Sequence, residues 1–296
     1  MRKPRPDATD QPGMIGTLPG WIGAAVAESL EDAAFRAGAA LIHLQQLVAH
    51  PTVPQALWRD RLALAAAEVG ADHSGRREDQ AALRDAMHMA RSGDSPGPGG
   101  AIYWQWSSAV ARPISVAHLG KALPGASADR IALCLDMAGG NPVDRAARVI
   151  EAVLADNPRA ETMALILADA VLAKSLGRDH VLPLLALALK PRDLRLRGDA
   201  LRLACHRAIV AGARQAAPLA TDLVRRAGRI RAVLPKLRAK GADHAVEMFL
   251  ARDALAPTAF AAFMSDRAAR RLCDRLVELG AVRELTGRDS FRLYGV

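Results

Sequence analysis

Eight side chains near the carboxyl end hold the chemistry most readily read from this chain: Ser265, Asp266, Arg267, Arg270, Arg271, Arg283, Arg288 and Arg292. An arginine's planar fork can make two parallel hydrogen bonds to guanine or to a phosphate, so several on one short segment suit nucleic-acid recognition. The charge distribution agrees. Net charge is +9 over 296 residues. Arg225 to Val296 hold 15 Lys/Arg against 8 Asp/Glu, whereas Met1 to Val224 hold 25 against 23. Positive charge gathered in the final quarter is the footprint of a segment that meets a polyanion. Within it, residues 225–240 hold seven basic residues and no acidic one. That stretch reads as a basic linker helix, either lying along a phosphate backbone or presenting a solvated face.

Catalytic chemistry is harder to find. Asp85 and His88 stand three apart on one predicted helix, the spacing by which carboxylate-bridged di-metal bundles present ligands. Glu28, Glu68 and Glu161 could add carboxylates, but no second Asp/Glu-x-x-His completes such a set. Surface polarity or a buried Asp–Arg pair is the plainer reading of this helix. No phosphate-binding glycine loop, His-Glu-x-x-His or Gly-x-Ser-x-Gly is present. Tyr103, Trp104 and Trp106 could line a ligand pocket, although large side chains in a bundle more often pack its core. Cys134, Cys205 and Cys273 are far apart, odd in number and set in apolar helical patterns, as expected for reduced, buried thiols. No cofactor is expected.

The elements that must position the arginines follow from periodicity. Asp243–Arg252 and Pro257–Phe263 read as two support helices. Ser265 then caps a third helix over 266–279, whose buried stripe is Ala269, Leu272, Cys273, Leu276 and Leu279. Gly280 suits a left-handed cap. Residues 281–285 and 290–294 read as two strands turning at 286–289. Three helices and a β-hairpin make a winged helix-turn-helix over 242–296.

Ahead of it, Ala and Leu dominate and aromatics are 4% of the chain, which favours helix throughout. The fold class is therefore mainly α: a helical bundle over 21–224, a basic linker helix over 225–241, then the winged helix. Helices are expected over 22–49, 54–71, 76–91, from 101, over 143–155 and 159–176, over 181–189, and from 198 to about 240 with breaks near Pro218 and Pro235. Asn141-Pro142 and Asn157-Pro158 each read as an N-cap followed by proline in the first turn. Gly93–Gly100 reads as a loop. Residues 1–20 read as a disordered lead, charged and proline-rich, neither a signal peptide nor a membrane anchor.

Two resemblances rest on these residues. Arg271-Leu-Cys-Asp-Arg-Leu-Val-Glu-Leu-Gly280, Val282-Arg-Glu-Leu-Thr-Gly-Arg288 and Arg292 resemble the winged-helix tails of bacterial transcription factors and Fic-type proteins. The Fic catalytic motif is missing, so that likeness stops at the tail. Leu18-Pro-Gly-Trp21, Ala34–Ala40, Arg77-Glu-Asp79, Ala82–Ala86, Pro96-Gly-Pro98, Leu167–Ala173 and Pro235–Gly241 resemble the bacterial domain-of-unknown-function family 1403. That family implies no activity.

Together these readings lead to the expectation of a cytoplasmic, homodimeric DNA-binding regulator. Its body would oligomerise or sense a small-molecule effector, and no membrane is involved. The alternatives are a metal-dependent helical-bundle enzyme with a regulatory tail, or an adaptor whose terminal module binds protein.

Overall fold

A computed structural model describes residues 17–23, 29–90, 95–288 and 290–296. Most of the expected lead over 1–20 lies outside them. Gly20–Ile22 form a single 3-10 turn.

The chain is mainly α-helical. Helix α1 (Leu30–Ala49) starts at Ser29, whose hydroxyl accepts from the Asp32 N–H at 3.1 Å. The expected start at Ile22 is not seen, and residues 24–28 lie outside the described set. Helices α2 (Gln55–His73) and α3 (Gln80–Met89) follow, the latter capped by Asp79. Helix α4 (Gly97–Val110) begins inside the expected Gly93–Gly100 loop. A Cβ at Gly100 would sit 2.8 Å from Pro96 and 3.1 Å from Ala86. These glycines let α4 approach α3, so the loop signal was a packing signal.

Helices α5 (Val116–Ala122) and α6 (Ala128–Leu135) are short and capped by Ser115 and Ser127. Asn141 caps α7 (Pro142–Asp156) as expected, in a reciprocal capping box with Asp144. Asn157-Pro158 behaves otherwise. Asn157 ends α7, its side chain accepts from the Arg159 N–H at 3.1 Å, and α8 (Glu161–Ser175) starts after Ala160. Asn favours such turns as readily as caps. Helix α8 is buried from Ala164 through Ala173, so it has no solvent face and sits inside the bundle against α4, α6 and α7.

The expected helix over 181–189 is a buried loop. Its backbone donors are met by one carboxylate: Asp169 of α8 accepts from the N–H groups of Leu184 (3.2 Å), Leu185 (3.0 Å) and Ala186 (3.3 Å). A buried loop survives only if its backbone groups are partnered, and here the partner is a side chain.

Helix α9 (Gly198–Val233) then runs 36 residues against α1, α2 and α7. It passes through Pro218 without a break, and it passes residue 225. The expected linker helix is therefore the last turns of α9, a 3-10 turn at Leu234–Lys236 and a short connection. Pro235, within that 3-10 turn, is where the helix ends.

The terminal residues contain α10 (Ala242–Phe249), a 3-10 turn at Pro257–Phe260, α11 (Asp266–Glu278), and strands β1 (Arg283–Glu284) and β2 (Tyr294–Gly295). The strands pair antiparallel, Arg283 opposite Gly295 and Glu284 opposite Tyr294. Leu255 bridges to the other edge of Tyr294. The strands are shorter than expected. Leu293 donates to the Thr286 hydroxyl instead of a backbone carbonyl, and Phe291 is exposed with φ +58°, outside the ladder.

One contiguous cluster of buried apolar side chains reaches from Ile22 through α8 and α9 to Phe249, Leu272 and Val296. Cys134, Cys205 and Cys273 are free and buried. Among the described residues, no helix is long and apolar enough to cross a membrane.

A basic groove and a buried ionic junction

Helix α11 presents its expected face. Ser265 accepts from the Ala268 N–H at 3.4 Å, and Ala269, Leu272, Cys273 and Leu276 are buried beneath it. Burial pushes the Cys273 thiol up to about 12, so it stays protonated. Gly280 (φ +65°) ends the helix, with Ala281 N–H donating to Leu276 O and Gly280 N–H to Val277 O, both at 2.9 Å. That is the Schellman pattern predicted by the glycine.

Beside α11 lies an open groove of about 710 Å³. Lys236, Arg238 and Lys240 form one bank, Arg271 and Arg275 the other, with Phe263 and Met264 between them and Ser265 at the start of the helix. No carboxylate lines it. Five cations facing a shared recess raise its potential above that of a lone arginine, although Arg275 is also paired with Glu278 at 2.9 Å, and a bound anion would relieve the repulsion that remains.

The eight sequence-predicted residues divide accordingly. Ser265 and Arg271 line the groove. Arg267 and Arg283 are exposed, with no carboxylate at ion-pair distance among the described residues. Arg270 is held by Asp266 (3.0 Å, one turn apart), and Arg292 lies 3.9 Å from Glu284. Arg288 does not extend from a wing tip. It turns back to the body, pairing with Asp85 of α3 and touching the Met89 sulfur. Lys236, Arg238 and Lys240 belonged to the presumed linker, and Arg275 was one of several charged residues off the buried stripe. Only the turn after α9 brings them opposite Arg271.

The Asp85–His88 pair has no metal-site geometry. Asp85 is engaged by Arg288, and burial holds the His88 ring below its usual pKa. Glu68 accepts from Gln80 at 2.8 Å, and Glu28 lies outside the described residues. Among the described residues, no three His, Cys, Asp or Glu side chains converge. Tyr103 and Trp106 are buried and Trp104 is exposed.

A second charged centre, not foreseen, joins α2 and α3 to the terminal residues. Asp253, between α10 and the next 3-10 turn, is fully buried and paired with both Arg61 of α2 and Arg84 of α3. Its N–H donates to Asp60 at 2.9 Å, and Asp60 also accepts from Ser107 at 3.0 Å. Arg61 donates further to the Val296 carbonyl at 2.9 Å. Burial raises the Asp60 carboxyl and lowers the Arg61 guanidinium, as desolvation disfavours either charge. The carboxylate is central because each arginine needs it. The sequence signal was faint: Arg252-Asp253 interrupts an otherwise apolar stretch.

No curated protein matches the chain. A family model described as a protein of unknown function (DUF1403) matches residues 6–296, and the chain belongs to that family.

Proposed function

We propose that residues 242–296 form a winged-helix unit that binds DNA, with α11 as the recognition helix and the adjacent groove as its phosphate seat. The carrying observation is the five-cation groove without a lining carboxylate. The element order supports it in part: α10, the bridge at Leu255, α11, β1 and β2 follow one another in the order of such a unit, but the expected second support helix over 257–263 is only a 3-10 turn at Pro257–Phe260. Arg271 and Arg275 would grip phosphate with Lys236, Arg238 and Lys240. Ser265, Asp266, Arg267 and Arg270 sit at the start of α11, where a recognition helix meets base edges. Arg283 would flank the site from β1. Arg288 and Arg292 contribute less, because each is turned toward a carboxylate. The cytoplasm is the compartment that this role requires. A homodimer would place two such units on half-sites about one helical turn apart.

Titration of mixed genomic fragments at two salt concentrations tests the proposal. Affinity should fall steeply with salt, because each neutralised phosphate releases counterions with a slope of about 0.9 per contact. Replacing both Arg271 and Arg275 by Ala should flatten that slope by about two contacts without lowering the melting temperature. Salt-independent binding would refute DNA contact.

One observation favours a second reading, a protein-binding adaptor: Arg270, Arg275, Arg288 and Arg292 all have carboxylate neighbours. In that case DNA would not be retained even at low salt.

A further inference from the structure

The helical body holds a second polar recess, about 290 Å³, between α1, α2 and the residues that follow α8. Two arginines reach into it. Arg178, just past the end of α8, is only 7% exposed. Gly177 (φ +70°) turns the chain there, and the Arg178 N–H closes the helix by donating to Ala173 O at 2.9 Å. The Arg178 side chain then passes under α1, giving Nε to the Gln45 amide oxygen at 2.9 Å and Nη2 to the Leu41 carbonyl at 3.2 Å. Arg59 of α2 gives Nε to the Val110 carbonyl at 3.2 Å.

Every one of these acceptors is neutral. Among the described residues, neither guanidinium has a carboxylate at ion-pair distance, and neither Nη of Arg59 nor Nη1 of Arg178 has a hydrogen-bond acceptor. Asp179 lines the same recess but is exposed and pairs with neither. The contrast with Arg61 and Arg84 is direct, since Asp253 neutralises both of those. Desolvation lowers Arg178 to about 10 and lowers Arg59 as well, with no opposing charge to offset it. Buried charge without a counter-charge is costly, as at Arg178, and a folded chain that sets it beside the half-buried, equally unpaired Arg59 on one recess has left room for an anion.

We propose that this recess binds a small molecule through one oxyanion group, a carboxylate or a phosphate, gripped by Arg59 and Arg178. The Gln45 amide nitrogen and the His180 ring supply further polar contacts around it. The recess falls at the small end of ligand sites, which fits a compact metabolite and not a nucleotide. This inference concerns the body and does not rest on the DNA-binding reading.

The test is thermal unfolding of the full chain titrated with inorganic phosphate or with acetate, with chloride at matched ionic strength as the reference. The wild-type melting temperature should rise saturably with at least one oxyanion beyond the chloride control. Which oxyanion acts separates phosphate chemistry from carboxylate chemistry. Arg59→Gln, at a half-buried position, should weaken the effect about tenfold or more, as expected for loss of a charged hydrogen-bond donor. Arg178→Met should do the same. Arg271→Ala, in the terminal groove, should leave the effect intact. No rise beyond chloride would overturn the proposal. So would an undiminished rise in Arg59→Gln, or loss of the rise in Arg271→Ala.

Discussion

Asp169 sets a pH dependence that can be measured. Its carboxyl is fully buried, accepts three backbone N–H groups and is raised to about 7, chiefly by desolvation. In the unfolded chain it titrates near ~4. Between these values the folded state holds a proton that the unfolded state has lost. Its contribution to stability is therefore complete below about pH 4 and fades as pH rises toward 7. Asp169→Asn should remove that slope from the pH–stability curve, measured by denaturant unfolding against wild type. It should also cost about 1–3 kcal/mol, because an amide NH₂ would face the Ala186 N–H. At Asp253 the expected effect is larger. Asp253→Ala leaves Arg61 and Arg84 buried without their counter-charge, a loss of about 3–5 kcal/mol. Arg288→Ala, breaking a pair with one exposed partner, should cost under about 1 kcal/mol. At this scale the sequence showed donors and acceptors but not their pairing. An acid inside the apolar run of α8 plainly demanded partners, yet those partners are the backbone of a loop fifteen or more residues away. Arg288 looked free because Asp85 is some two hundred positions upstream.

Among the elements, those set by local rules were legible. The caps at Asn141 and Ser265, the glycine stop at Gly280 and the buried stripe of α11 depend on residues within one or two turns of each other, whereas the caps at Ser29 and Asp79 fall inside stretches expected to be helical already from Ile22 and Arg76. Elements set by distant contacts were not. Residues 181–189 have the composition of a helix but lie as a loop against α9, where Gly212 meets the Leu184 carbonyl. A Cβ at Gly212 would stand 2.6 Å from that oxygen. Although alanine ordinarily strengthens a helix, Gly212→Ala should destabilise the protein by about 1–3 kcal/mol, read from the shift in denaturant midpoint. Conversely, Pro218 suggested a break in α9, yet flanking packing against α1 carries the helix through it.

For the molecule as a whole, continuity of the core matters more than the count of its parts. The buried cluster runs unbroken from Ile22 to Val296, and the Asp253 junction ties α2 and α3 to the terminal residues. Calorimetry should therefore show one unfolding transition. In Asp253→Ala the terminal residues should become protease-sensitive before the body melts. Two transitions in the wild type would mean that the module folds independently. The charge asymmetry of the chain predicted where the basic surface lies. It could not show that the surface closes into a groove, because that depends on the turn after α9.

Helix α9 spans about 54 Å, and Pro218 deprives the Arg214 carbonyl of its usual ladder donor partway along. From that weakened turn to Val233 is about 22 Å of axis, at about 1.5 Å per residue. A flexure of only about 5° there would sweep the far end sideways by about 2 Å. Such a bend at the exposed Pro218 would displace by a similar distance the cationic bank that follows α9, were it not that Leu223, Ala227 and Ile230 hold the far half of the rod in the core.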